Sequence, residues 1–316
     1  MTRILLLGGG GFLGAPVAAR LRALPGAAVL HAGRAARGHG PDGGHGTRGR
    51  PLPDLHVDLG TVPVDVLAGG LGALVPDVVV NCAGLTAGPA SALASVNARG
   101  AAVLCEAMAA AVPAARLVHL GSAAEYGPAV PGTALAESAP ARPAGVYGAT
   151  KLAGTLAVAG SRLDAVVLRV FNPVGAGAPG SGLPGRLAAA FRGAPPDGRV
   201  RTGDLGAYRD FVDVTDVAEA VALAATAAGP LPPVLNVGSG AATLVRDLAA
   251  ELAGLCGFTG RIEESGAGSE RSAEVSWMRA DISLTAATLG WQPVRSLHDA
   301  LAALSDATAP ATGGPA

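Results

Sequence analysis

The chain has 316 residues, enough for one large α/β domain or a domain with a smaller lobe. A formal charge of −1 and a pI of about 6.6 give no electrostatic ground for binding nucleic acid or an anionic membrane. Half of the residues are apolar, but alanine carries much of this and no run approaches the roughly 18 residues of a bilayer span.

Met1 to Gly8 is too short in its apolar part for a signal peptide, and the odd, widely spaced Cys82, Cys105 and Cys256 in apolar surroundings predict reduced thiols in a cytoplasm. Arg3 to Leu7 predicts a buried strand that ends in glycine. Gly8-Gly9-Gly10-Gly11-Phe12-Leu13-Gly14 follows, and Ala15 to Leu24 predicts a helix that tolerates Pro16 in its first turn. Strand, glycine turn and helix form the context of a dinucleotide site. Glycine lets the backbone approach a pyrophosphate, and the helix N-terminus offers N–H donors. Ala27 to His31 predicts a second strand. Beyond it stand Arg34 and Arg37, with no acid before Asp42. Two arginines in place of the acid that binds a ribose 2′-hydroxyl favour a 2′-phosphate, hence NADP(H), with NAD as the other possibility. The alternative is that these arginines solvate a loop. Gly38 to Arg50 is low in complexity and is expected to be mobile.

Leu55 to Leu59 predicts a short strand, Val64 to Leu74 a helix, and Asp77 to Gly84 a buried parallel strand running into small residues. Ser91 to Ala111 predicts one long helix that carries Asn97. Arg116 to Leu120 is a strand delivering Gly121 and Ser122 at its carboxyl end, where ligands bind in open α/β sheets. Val146 then opens an alanine- and leucine-rich helix that runs to about Gly160. Tyr147 and Lys151 are four apart and share one face of it. An ammonium beside a phenol favours the phenolate, which makes the pair a proton-transfer device. Lys151 is the only lysine among 23 cationic residues. A flexible point charge stands there although arginine serves everywhere else. The alternative is a solvated pair at helical spacing.

Ala165 to Val170 is a strand ending in Phe171-Asn172-Pro173, and the strand–helix alternation up to it predicts a doubly wound parallel sheet. Val174 to Arg201 is rich in Gly, Pro and Arg and predicts a lobe or lid. Arg209 to Val214 predicts a strand, Asp216 to Ala227 a helix, and Val234 to Gly238 a strand. Thr243 to Cys256 predicts a helix with Thr243 as its N-cap. Leu284 to Trp291 and Ser296 to Leu304 are the last helical pieces, before a disordered tail at 309–316. The expected division is a Rossmann-type α/β nucleotide domain, 1–173 with 209–238, and a smaller C-terminal substrate-binding lobe, 174–208 with 239–308. Cys82, Cys105 and Cys256 are widely spaced, and the six histidines form no ligand pattern with them, so neither disulfide nor metal is expected.

Taken together, these residues resemble the extended short-chain dehydrogenase/reductase family, the nucleotide-sugar epimerase, dehydratase and reductase group. The resemblance rests on Gly8-x-x-Gly11-x-x-Gly14, Asp58-Leu59, Asn81-x-Ala83-Gly84-x-Thr86, Asn97, Ser122 and Tyr147-x-x-x-Lys151. It continues through Leu168-Arg169-x-Phe171-Asn172-Pro173, Arg209-Asp210-Phe211, Asn236-Val237-Gly238-x-Gly240 and Leu289-Gly290-Trp291-x-Pro293. The resemblance implies that Ser122, Tyr147 and Lys151 are catalytic. Ser122 would bind the reacting oxygen, Tyr147 would exchange its proton, and Lys151 would hold the nicotinamide ribose and tune Tyr147. It implies cofactor contacts from Gly8, Gly11, Phe12, Leu13 and Gly14 to the pyrophosphate, and from Asp58 and Leu59 to the adenine. Arg34, Arg37, Cys82, Ala83, Gly84, Asn97, Phe171 and Val174 complete that set. Substrate contacts are implied for Thr86, Asn172, Arg209 and Arg271, while Glu125 is either a substrate contact or a turn residue.

Sugar dehydratases of the family carry an Asp-Glu pair just after the Ser122 position. Ala123-Ala124 stands there and cannot do acid–base work. The local motifs are more similar to those of 4-keto-6-deoxysugar reductases. Arg271-Ser272-Ala273-Glu274 departs from the family's Arg-Pro-x-Asp. The resemblance therefore implies an NADPH-dependent ketoreductase of a nucleotide-activated 4-keto-deoxysugar, working as a homodimer. The alternatives are an NAD-dependent 4-epimerase, a reductase of a non-sugar ketone, or a non-catalytic NADP-binding regulator.

Overall fold

The computed structural model describes residues 1–34, 53–265 and 275–308; Arg37, the segment Gly38 to Arg50, Arg271 and the 309–316 tail lie outside them. Strand β1 (Thr2–Leu7) runs into the glycine turn, and α1 (Gly14–Arg22) returns the chain to β2 (Ala27–Gly33). A two-residue β3 (Leu55–His56), α2 (Val64–Leu74) and β4 (Val78–Asn81) follow. Helix α3 (Ala90–Leu93) passes through a π-helical stretch, Ala94–Arg99, into α4 (Gly100–Ala111) and then β5 (Arg116–Ser122). Next come α5 (Val146–Ala159), β6 (Ala165–Val170), β7 (Pro173–Val174), α6 (Leu183–Gly193), β8 (Arg199–Thr202), β9 (Tyr208–Arg209) and β10 (Val212–Asp213). The chain closes with α7 (Val214–Thr226), β11 (Val234–Val237), β12 (Thr243–Leu244), α8 (Val245–Leu255), β13 (Arg261–Glu264), α9 (Ser283–Leu289) and α10 (Leu297–Thr308).

Seven strands pair in parallel in the order β11-β6-β5-β4-β1-β2-β3. Side chains alternate between the two faces. Ile4, Leu6, Val78, Val80, Val118 and Leu120 pack against Val17 and Leu21 of α1 and Val217 and Val221 of α7. Leu5, Leu7, Val79 and Leu117 pack on the other face against α2, α4 and Val158 of α5. Both faces are covered, which is why these strands read as continuous apolar runs rather than alternating ones. Strand order reverses between β1 and β4, and such a switch opens a crevice at the carboxyl ends of the strands. The result is a Rossmann-type doubly wound α/β fold.

A separate apolar cluster is built from Leu187 and Phe191 of α6, Leu248 and Leu252 of α8, and Leu301 and Leu304 of α10. Phe191 and Phe258 stack within it at 5.2 Å between centroids. Glycine and proline in 174–201 concealed helix α6 from sequence reading, although Pro184 in its first turn suits a helix start.

Three expectations about elements need correction. Arg209 to Val214 is not one strand: β9 pairs antiparallel with β12, and β10 pairs in parallel with β7. Between them the buried Asp210 carboxylate accepts from the backbone of Ser239, Gly240 and Ala280 and from the Ser239 hydroxyl, which breaks the strand in two. Thr243 is not an N-cap, because β12 uses it for pairing and α8 begins at Val245. The first N–H groups of α8 are met instead by the carbonyls of Ala207 and Leu205. The expected helix from Ser91 to Ala111 carries a six-residue π stretch, a distortion common at functional sites. Among the described residues no helix is long and apolar enough to cross a membrane, and no group of His, Cys, Asp or Glu could hold a metal ion.

Candidate active site

The crevice is shaped first by glycine. Gly8 has φ of +75°, and a Cβ there would lie 2.7 Å from the Ala83 nitrogen, so both the turn and the close approach of the β4 end demand glycine. Gly11 differs. A Cβ on it would touch only the Gly8 oxygen, at 3.4 Å, so its missing side chain serves no packing within the protein and leaves space in front of α1. Helix α1 begins with no side-chain cap and no acid in its first turn. Ala15 N–H is used by the Gly11 carbonyl and Pro16 carries none, so the N–H of Gly14 and the positive dipole end are what the start of α1 offers an anion. At the end of β2, Arg34 faces Asp58 at 4.0 Å, with side chains 66% and 41% exposed. A pair so exposed holds weakly and can give way to a ligand. These residues fit a dinucleotide: glycine room and an N–H donor for the pyrophosphate, and a cation near the adenosine end.

The second part of the site is built at the end of β5. Lys151 of α5 is 6% exposed and donates to the Leu120 carbonyl. Burial pushes its ammonium below the ordinary lysine range, and the charge of Glu125 opposes that. Ser122 ends the strand, and its Oγ accepts from the Ala124 nitrogen at 3.2 Å, which leaves the hydroxyl proton to donate outward. Tyr147 lies half-buried in the first turn of α5, one turn before Lys151. His119, one residue before Leu120, is enclosed, and its Nδ1 accepts from Asn81 Nδ2 at 3.0 Å. Burial and the Lys151 charge hold it well below the ordinary histidine value, so it is neutral. Burial likewise pushes the Cys82 thiol up to about 12. A hydroxyl at the carboxyl end of β5, with a phenol and an ammonium on the adjoining α5, is a set of groups that can pass a proton to or from an oxygen of a small molecule.

The sequence profile of the NAD dependent epimerase/dehydratase family matches residues 4–238. The chain belongs to this family. A dTDP-6-deoxy-L-talose 4-dehydrogenase (NAD(P)(+)) from Kitasatospora kifunensis is 39% identical over 98% of this chain and 97% of its own length. A dTDP-L-rhamnose 4-epimerase from Burkholderia thailandensis is 30% identical over 50% of this chain and 44% of its own. Among solved structures, MoeE5 in complex with UDP-glucuronic acid and NAD is 27% identical with a TM-score of 0.79, covering 97% of this chain and 98% of that one.

In this epimerase/dehydratase-family enzyme, several of the expected site residues are enclosed by the fold. Asn97, expected at the cofactor, is buried in the π stretch and makes all its bonds inside the protein. It donates to Leu85 O and Thr150 Oγ1 and accepts from the Leu85 nitrogen, which ties the loop after β4 to α5 beside Lys151. Glu125 is 0% exposed, with its oxygens taken by Ser122 and Arg169; it caps a turn and touches no solvent. The side chains of Phe171, Val174 and Leu59 are enclosed in the core, while Asn172 and Pro173 between β6 and Val174 are half-buried. Asn172 Nδ2 donates to Asp210 O at 2.7 Å. Thr86 is exposed in the loop after β4, while Cys82, Ala83 and Phe12 are half-buried along the turn.

Arg209 is buried and donates to the carbonyls of Tyr208 and Val275 at 2.8 and 2.6 Å. No carboxylate among the described residues meets its charge, and burial lowers it below the ordinary arginine value. Arg37 and Arg271 lie outside the described residues. Sequence reading missed the work of Arg169, His119 and Asp210. The available signal was a charged residue inside an apolar strand, as in Val166-Val167-Leu168-Arg169-Val170, which demands a buried partner.

Proposed function

We propose that this enzyme is an NADP(H)-dependent reductase acting at C4 of a nucleotide-activated 6-deoxyhexose, interconverting the 4-keto and 4-hydroxy sugars. The observation that carries the reading is the 39% identity, over nearly the whole of both chains, to a 4-dehydrogenase of a dTDP-6-deoxysugar. The site adds support. Ala123 and Ala124 follow Ser122 and offer no acid–base group for a dehydration. The bound nicotinamide supplies or receives the hydride. Ser122 donates its free O–H to the C4 oxygen and orients it. Tyr147 gives that oxygen its proton as the carbonyl carbon is reduced, and takes it back in the oxidative direction. Lys151 stays an ammonium, favours the phenolate after the transfer, and has N–H donors beyond the one given to Leu120 for the cofactor ribose. Arg209 offers an unmatched buried cation for the diphosphate of the substrate.

Residues 1–173 with 209–238 would bind the cofactor, and 174–208 with 239–308 the sugar nucleotide. A homodimer through α4 and α5 is part of this reading, since Ala149, Ala153 and Leu156 form an exposed small and apolar stripe on α5. The test is net turnover. With dTDP-6-deoxy-L-talose and NADP⁺, the nicotinamide absorbance should rise in step with loss of the sugar's C4 proton. Interconversion of C4 epimers with no net cofactor consumption would instead favour the epimerase reading.

A further inference from the structure

Glu125 takes no part in the proton transfer just described, yet it is fully enclosed next to Ser122. Its two oxygens have separate partners. Oε1 accepts from the Ser122 nitrogen at 2.7 Å, and Oε2 accepts from Arg169 Nε at 2.8 Å. Arg169 is itself held, 4.5 Å over the Tyr126 ring, while the Tyr126 hydroxyl donates to Asn236 Oδ1 at 2.7 Å. The carboxylate is thus locked in place by β6 and β11. Between Leu120 and Ser122 stands Gly121, where a Cβ would lie 2.8 Å from Glu125 Oε1 and 2.8 Å from Val167 Cγ1. Glycine is what lets the carboxylate lie against the backbone of β5. The neighbouring carbonyl, Leu120 O, accepts from Lys151 Nζ. Three consecutive residues therefore carry a carboxylate on one bond and the catalytic ammonium on another.

The charges around Lys151 can be named element by element. Cys82, at the end of β4, has its thiol pushed up to about 12 and is neutral at physiological pH. His119 on β5 is neutral by burial. Tyr147, on the same helix as Lys151, is the proton carrier, and Arg169 on β6 is bound to Glu125. That leaves Glu125 as the anion acting on the ammonium. An ammonium taken out of water without an anion loses its proton more readily.

We propose that Glu125 is a positioning residue of the active site: its buried carboxylate, held by Arg169, fixes the backbone that carries Ser122 and supplies the negative charge that keeps Lys151 protonated. The role assigned to Lys151 rests on the function proposed above, but the charge relation can be measured without turnover. Because Lys151 is the only lysine, isotope-labelled lysine gives a single side-chain resonance in the full chain, and its titration reads Lys151 directly. Glu125→Gln alone would strand a buried Arg169. The paired variant Glu125→Gln with Arg169→Met removes both charges and keeps an acceptor for Ser122. In that variant the Lys151 midpoint should fall by about one unit, a ten-fold loss of proton affinity. The alkaline limit of turnover of dTDP-6-deoxy-L-talose with NADP⁺ should fall with it. Glu125→Asp keeps the charge and should recover most of the shift. An unchanged midpoint in the folded paired variant overturns the proposal, as does an equal fall in Glu125→Asp. If the midpoint falls as expected while the unaltered enzyme leaves this sugar untouched, the charge relation stands and the substrate reading fails.

Discussion

Two ion pairs, one beyond the end of β2 and one against the end of β5, behave as opposites. Arg169 and Glu125 are 6% and 0% exposed, lie 2.8 Å apart, and are braced by Tyr126, Ser122 and Gly121. Arg34 and Asp58 are 66% and 41% exposed and lie 4.0 Å apart. The first pair is taken out of water, so each charge depends on the other, and the pair holds a geometry rather than adding much net stability. The second pair is solvated and worth little, so its arginine can turn to a ligand at almost no cost. Under the proposed function the buried pair lies where a fixed Ser122 and a protonated Lys151 are needed. Under that same function the exposed pair is where a 2′-phosphate would arrive, and its charge stays in water.

The largest effects are expected at the buried end. Tyr147→Phe should reduce turnover by about 10²–10⁴-fold while leaving cofactor affinity nearly intact, since it removes only the transferred proton. Lys151→Arg should lose activity on a similar scale, because a planar guanidinium cannot take the place of an ammonium tip bonded to Leu120 O. Steady-state rates with a titrated cofactor check both. Full activity in Lys151→Arg would remove the case for a built proton-transfer site.

Breaking the buried pair on one side should be nearly as costly, but to stability. Arg169→Met alone leaves the Glu125 carboxylate enclosed without its cation and should cost roughly 3–5 kcal/mol in denaturant unfolding. The paired variant with Glu125→Gln should recover most of that loss. Equal losses in both would mean that the pair is ordinary packing.

A smaller, pH-dependent effect belongs to His119. Its folded value is held well below 6.5, so below that pH the unfolded chain binds a proton that the folded chain does not. The stability is fully present above about pH 6.5 and is lost as pH falls through it, by up to about 1.4 kcal/mol per unit for one proton. Thermal unfolding between about pH 7 and 5 should show this slope. His119→Gln, which can still accept from Asn81, should flatten it.

At the exposed end the expected effect is on choice rather than stability. NADPH should bind about ten-fold tighter than NADH, or about 1.4 kcal/mol, and Arg34→Asp should erase the gap with no measurable change in melting temperature. Equal affinities in the unaltered protein would count against a 2′-phosphate contact. The subtlest check is assembly: Leu156→Glu on the exposed face of α5 should lower the mass seen by light scattering from that of a dimer toward 30.6 kDa.

By itself, the sequence determined the parallel sheet, the glycine turn, and the helix that carries Tyr147 and Lys151. Each rests on local signals: apolar runs of strand length, a glycine that no packing in the protein requires, and a four-residue spacing. Local chemistry persists in the fold, so these readings carried over. The tertiary structure decided what the polar residues do. Asn97 and Glu125 have side chains that suit a ligand, and their sequence positions are compatible with one. The fold encloses both and fills their hydrogen bonds with Leu85, Thr150, Ser122 and Arg169. Asp210 divides an expected strand because its carboxylate gathers N–H groups from residues 29 to 70 positions away. Thr243 enters a ladder with Arg209 instead of capping a helix. A buried polar group must find partners, and those partners come from distant parts of the chain, so its role is settled by burial and contact rather than by its neighbours in sequence.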